Sequence, residues 1–188
     1  MKTKLHETET ENVPSTTTRR GFVAAAAVVV TGCLSGVEGD DDGPDAEVES
    51  HTYPRQRFEP EFVRVPVGGT VRWTNHSGSH DVTAYHPDNC GRPLRIPENA
   101  EPFASRVMSS VGAEFEHTFE VEGVYDYLDT QTVCVGHEAV GMVGRVVVGE
   151  PNLDDEPAME PPQDEIPRVA ANAIEALNER TREVVGDG

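Results

Sequence analysis

Lysine is almost missing from this chain: Lys2 and Lys4 are its only two, so every basic residue from Arg19 onward is an arginine. From Cys33 to the C-terminus 11 arginines face 31 acidic residues, within a formal net charge of -19 for the whole sequence. A surface so acidic repels DNA, RNA and anionic lipid alike, which excludes partners recruited by their negative charge. A lysine-free acidic domain fits a protein adapted to high salt, where screening shortens charge repulsion to a few ångströms. Long apolar runs are lacking as well. The run FVAAAAVVVT, Phe22 to Thr31, has about ten residues, whereas a helix that spans a bilayer needs ~20. Cysteine is scarce, at three residues, and with 188 residues there is room for one medium domain with tails.

What is present at the N-terminus reads as an address and an anchor. Thr18-Arg19-Arg20-Gly21-Phe22-Val23 is a twin-arginine pattern, and the short apolar run behind it suits an export signal. Val30-Thr31-Gly32-Cys33 has the form of a lipobox, so residues 1–32 are expected to be a signal and Cys33 the lipid anchor, which puts the protein at the cell membrane on its extracytoplasmic face. Residues 33–56 are rich in Gly, Asp and Glu and read as an acidic tether with a reach of ~25 Å.

Residues 57–149 read as short strands separated by turns. FVRVPV and TVRW flank Gly68-Gly69, which predicts a tight hairpin. HDVTAYH, EFEHTFEVE, GVYDYL and GMVGRVVVG follow, and the strict alternation in EFEHTFEVE predicts a half-buried strand with Phe115, His117, Phe119 and Val121 on one face. Pro87 to Phe103 reads as a long loop. Several short strands without a strong helical pattern predict an all-β sandwich. Residues 150–163 look like an acidic, proline-punctuated linker. Residues 164–188 have helical period, with Ile166, Val169, Ala170, Ala173, Ile174, Leu177 and Val184 on one stripe, Asp164 as the expected cap and Pro167 in the first turn. Packing on its own domain is the plainer expectation for this helix; docking to a redox partner is the other.

CVGHEAVGM, Cys134 to Met142, concentrates a thiol, an imidazole and a thioether in nine residues. Thiolate and thioether are soft donors and imidazole is intermediate, a mixture that suits copper cycling between its cuprous and cupric states. Such centres take two His, one Cys and a weak axial Met, so Cys134, His137 and Met142 leave one histidine to find. His76 and His80 compete for that place. His80 opens an alternating strand and shares a face with Val82 and Ala84, so it is expected to point inward, whereas His76 lies in a Ser/Gly/Asn turn and is expected to be solvated. His51, His86 and His117 fit no ligand spacing.

Three patterns together resemble a cupredoxin of the plastocyanin type: Cys134-x2-His137-x4-Met142, the Gly141-Met142-Val143-Gly144 run into a valine-rich last strand, and Trp73-x-Asn75-x4-His80-x-Val82 upstream. The acidic, lipid-anchored context is similar to the halocyanins of halophilic archaea. The resemblance implies an eight-stranded Greek-key sandwich with one copper at its end. It also implies a monomeric, non-enzymatic electron carrier between membrane redox proteins, with His137 as the exposed electron port. Asn75 and Asp81 would form the outer shell, the Asp81 backbone amide bonding to the thiolate. One departure stands out. Such proteins run from the aromatic strand almost directly into the cysteine, whereas here LDTQTV separates Tyr127 from Cys134.

Two other readings stay open at this point: copper storage or delivery, and a structural zinc site built from Cys90, Cys134, His80 and His137. Cys90, in the turn-rich loop YHPDNCGRP, is expected to be free of any disulfide. SGSHD, Ser77 to Asp81, is the one cluster of serine, histidine and acid, and it lacks the features of a nucleophile site.

Overall fold

The computed structural model describes residues 43–131 and 136–186. Among the described residues eight strands form two four-stranded sheets, followed by one α-helix. The first sheet has the order β2 (Arg57–Glu59), β1 (Ala46–His51), β4 (Gly69–Asn75), β6 (Glu114–Phe119). The second has the order β3 (Phe62–Val65), β8 (Val143–Val148), β7 (Gly123–Leu128), β5 (Thr83–Ala84). β1 runs parallel to β4 and β3 parallel to β8; the other pairs are antiparallel. Trp73 is wholly buried among Phe103, Phe115, Phe119 and Tyr127, and this aromatic cluster fills the space between the sheets.

β1 lies inside the stretch read as a tether. Its acids Glu47 and Glu49 face solvent while Val48 is 1% exposed and Ser50 and His51 are buried, so the strand seats itself between β2 and β4 by burying alternate residues. The expected hairpin at Gly68-Gly69 is also different. The turn is there, with Gly68 at φ 80° and the Gly69 amide on the Pro66 carbonyl at 2.9 Å, but β3 and β4 leave it for opposite sheets.

The acidic stretch after β8 is tied down rather than free. Two single 3-10 turns, Leu153–Asp155 and Pro157–Met159, bury Ala158 and Met159 beside Val124. The helix α1 (Arg168–Gly186) begins four residues later than its expected cap, for Asp164 sits in a separate turn. Ile166, Ala170, Ile174 and Leu177 pack on Phe62, Tyr85, Leu128, Val143 and Val147, the outer face of the second sheet. Full burial of each large apolar side chain contributes about 1.5–3 kcal/mol relative to exposure. Val169 and Val184 are 51% and 42% exposed and so lie off this face, where Asn178 and Thr181 are buried instead.

Those two polar residues explain themselves through Arg145. Its guanidinium, wholly buried, donates to both oxygens of Asp126 (2.7 and 3.0 Å), to Asn178 Oδ1 (2.7 Å), to Thr181 Oγ1 (2.9 Å) and to the Ala158 carbonyl (2.9 Å). Arg95, equally buried, donates to Asp126 Oδ2 at 2.8 Å. One carboxylate thus gathers two guanidiniums that also hold the post-β8 stretch and α1.

Candidate metal centre

At one end of the sandwich, three side chains converge. β7 runs straight into Asp129, which is wholly buried, and its Oδ2 lies 2.5 Å from His80 Nδ1 and 2.7 Å from His137 Nδ1. The three donor atoms all lie within 4.8 Å of one another, and the two rings are 5.1 Å apart. Among the described residues the other such group is Glu49, His51 and His76, an open cluster in which the two imidazoles are 4.3 Å apart.

His80 is fixed from both sides. Its backbone exchanges hydrogen bonds with Met108 (3.2 and 2.7 Å), and Asn75 Nδ2 donates to the same Met108 carbonyl (2.8 Å) and to the Gly78 carbonyl (3.0 Å). The ring's Nε2 lies 2.8 Å from the Ser77 carbonyl and 3.1 Å from Thr52 Oγ1, whose own hydroxyl donates to Ser77 O at 3.0 Å. A carbonyl oxygen only accepts, so Nε2 carries a hydrogen and Nδ1 is the ring nitrogen turned toward Asp129. The loop needs glycine at 78: its φ is 90°, and a Cβ there would lie 1.9 Å from Thr52 Oγ1.

His137 opens a 3-10 turn, His137–Val140, that closes at Gly141 with φ 86°. Its side chain is 13% exposed while that of His80 is fully buried, so one imidazole edge meets solvent beside the exposed Val140. Glu138, wholly buried, accepts from Tyr85 Oη at 2.8 Å and pairs with Arg92, which anchors the turn behind His137. Burial, reinforced by the Glu138 carboxylate, holds the Tyr85 phenol well above its usual pKa, so it stays a donor. Met142 is completely buried. Its amide bonds to the His137 carbonyl (3.1 Å), and its carbonyl accepts from the Asp129 amide (3.2 Å).

Of the residues expected from sequence, the structure brings His80 and His137 together and ties Met142 to His137 through backbone; Cys134 lies outside the described residues, as does Cys33. Asn75 and Asp81 both take part in the support. The Asp81 carboxylate accepts from the Thr130 amide (2.9 Å) and Thr130 Oγ1 (2.8 Å), and its own amide donates to Asp129 Oδ1 at 3.3 Å. Asp129, just past the end of the aromatic strand, is the member of this cluster that the sequence reading did not pick out. His76 is solvated, with its side chain 57% exposed. Cys90 corrects an expectation: it is disulfide-bonded, its sulfur carried on an exposed turn at φ 57°. That bond removes the zinc reading, which needed the Cys90 thiolate.

The donor set of two imidazoles and a carboxylate, with both Nδ1 atoms turned to one oxygen, fits a first-row transition metal. The comparisons with known proteins say which. Residues 47–149 match the family model described as copper binding proteins, plastocyanin/azurin family. The chain belongs to the plastocyanin/azurin family. Copper is the cofactor that this membership brings, and copper-based electron transfer is the work of the family. The halocyanin of Natronomonas pharaonis is 38% identical over 93 residues, 48% of this chain and 47% of that protein. A chloroplastic plastocyanin of Tetradesmus obliquus is 30% identical over 93 residues, 48% of this chain and 57% of that protein. The matches therefore span about half the length of these curated relatives. A pseudoazurin from Sinorhizobium meliltoi superposes with a TM-score of 0.53 at 24% identity, over 76% of this chain and 98% of that one, and shares the sandwich fold.

Proposed function

We propose that this plastocyanin/azurin family member is a one-electron carrier that holds a single copper ion between His80 and His137, with Met142 as the weak axial donor. The observation that carries the reading is the convergence of the two imidazole Nδ1 atoms on one buried anionic oxygen at the end of the sandwich. Copper supplies the one-electron chemistry by alternating between its cuprous and cupric forms. Every other part belongs to the chain. His80 is held by Ser77 and Thr52 and shielded from water, so its ring does not reorient when the charge at the centre changes. His137, the partly exposed ring, is the port through which an electron passes. The sequence assigns the anionic place to the Cys134 thiolate.

The twin-arginine pattern and the lipobox support export and a lipid anchor at Cys33, so the carrier works as a monomer on the outer face of the cell membrane between membrane-associated redox proteins. Among the described residues no helix is long and apolar enough to cross a membrane. Cys33→Ser is expected to move the protein into the soluble fraction; tight retention on membranes would count against the anchor. For the function itself, voltammetry of the copper-loaded full chain should show a reversible one-electron wave at one copper per chain, abolished in His137→Ala. Copper that is redox-silent, or that passes to an acceptor in place of electrons, would contradict the carrier.

A further inference from the structure

The structure assigns the anionic ligand of this centre to Asp129: its carboxylate, with the Nδ1 atoms of His80 and His137, forms a two-imidazole, one-carboxylate site for a divalent first-row cation that needs no thiolate. The inference rests on the copper reading above and names one ligand within it.

Three observations carry it. First, the position is right. Asp129 is the residue into which the aromatic strand β7 runs, and its amide and carbonyl bind the Met142 carbonyl (3.2 Å) and the Glu138 amide (3.2 Å), so the backbone that presents it is stitched to the loop bearing His137 and Met142. Second, the two carboxylate oxygens have separate duties. Oδ1 accepts from the amides of Gln131 (2.8 Å) and Asp81 (3.3 Å), which fixes the group's rotation, while Oδ2 faces both imidazoles. The Asp81 amide is the donor that the family resemblance assigns to the thiolate, and here it serves the carboxylate. Third, the electrostatics ask for a cation. The Ser77 carbonyl takes a hydrogen of His80 at Nε2, and the ring's other nitrogen, Nδ1, faces a carboxylate oxygen 2.5 Å away. Two such electron-rich atoms stay that close only around a positive centre, either a proton or a metal ion that replaces it. No guanidinium of the described residues bonds to Asp129; its fixed partners are backbone amides and the two imidazoles.

The chemistry of the centre changes with the ligand. A carboxylate is a hard donor and favours the cupric state, so the potential falls, and copper without a thiolate loses the intense visible charge-transfer band that a thiolate gives. The test uses the full chain titrated with Cu(II), alone and as Asp129→Asn and Cys134→Ser, read by bound copper per chain, electron paramagnetic resonance and visible absorption, with an unfolding curve for each protein. Cys134→Ser should bind one copper with the wild-type resonance spectrum, showing two nitrogen donors, and with affinity within about twofold of wild type. Asp129→Asn should lose about a hundredfold or more in affinity, at or beyond the upper end for a residue that only supports a ligand. If Asp129→Asn does not fold, the Cys134→Ser arm still decides the matter. Loss of copper in Cys134→Ser, or an intense thiolate band in the wild type that persists in Asp129→Asn, would overturn the inference and leave the copper reading standing. A wild-type chain that binds no copper would sink both.

Discussion

Asp126 and Asp129 lie three residues apart on one strand and its exit, both with no solvent exposure, and each carboxylate is shared by two nitrogenous side chains. Asp126 takes two arginines, Arg95 and Arg145; Asp129 takes two histidines, His80 and His137. A guanidinium stays charged under all ordinary conditions, so the first cluster is a closed structural knot whose further donors are used to fasten α1 and the stretch before it. An imidazole can be neutral and offer a lone pair, so the second cluster can exchange protons for a metal ion. The carboxylate is common to both. What its partners can do with a proton separates a structural ion cluster from a metal centre.

The largest expected effect comes from breaking the arginine side of this pair. Asp126→Ala strands two buried guanidiniums and should cost about 3–5 kcal/mol of stability in urea unfolding, a loss that would detach α1 as well. Leu177→Ala is a milder way to loosen the same region. It should cost about 2–4 kcal/mol from the cavity it leaves in the α1 interface, while copper affinity stays at the wild-type level. If copper affinity fell together with stability, the two clusters would be coupled and the contrast would weaken. On the metal side, Met142→Leu should cost less than about 1.5 kcal/mol in folding, retain copper and raise the reduction potential, because only the weak axial donor is lost. Complete loss of copper in that variant would contradict the axial role.

The smallest effect concerns a histidine with no part in the site. His117 packs between Phe103 and Phe119, at 4.5 and 4.7 Å between ring centres, and burial lowers its pKa below 6.5. The folded state therefore prefers the neutral ring, so its contribution to stability is full above pH 6.5 and is lost as the pH falls through the lowered value. Half-burial and solvent screening keep the contribution below about 1 kcal/mol. His117→Phe should flatten stability across this acid range; an unchanged pH profile would refute the assignment.

The two faces of the contrast differ in how far they can be read from the sequence. The grouping of His80, His137 and Met142 was legible because residues that share a loop or a strand keep a fixed spacing, and the half-buried β6 showed itself through the alternation of Phe115, His117 and Phe119. Asp129 was not, because a lone aspartate after an aromatic strand has the same composition as a turn; the readable signal was its place at the strand's exit, as the second residue of the LDTQTV departure. β1 was hidden by its own outward acids, Glu47 and Glu49, which made a buried strand resemble a tether. The acidic stretch after β8 looked like a linker because its attachment depends on Arg95 and Arg145, whose partners lie far away in sequence and follow no local period. The same holds for α1, where Asn178 and Thr181 are inward-facing because Arg145 waits beneath them.

Cys90 adds a constraint that bears on the centre. Its disulfide partner is Cys33 or Cys134, the only other cysteines in the sequence, and peptide mapping of the non-reduced protein would identify which. A centre built on Asp129 tolerates either result, whereas a thiolate centre tolerates only a bond to Cys33, which would then not carry the proposed lipid. The most direct measurement is copper K-edge absorption fine structure on the Cu(II)-loaded wild-type chain. The account predicts a first shell of nitrogen and oxygen with the outer-shell pattern of two imidazoles and no short copper–sulfur distance. A short sulfur in the first shell would contradict it.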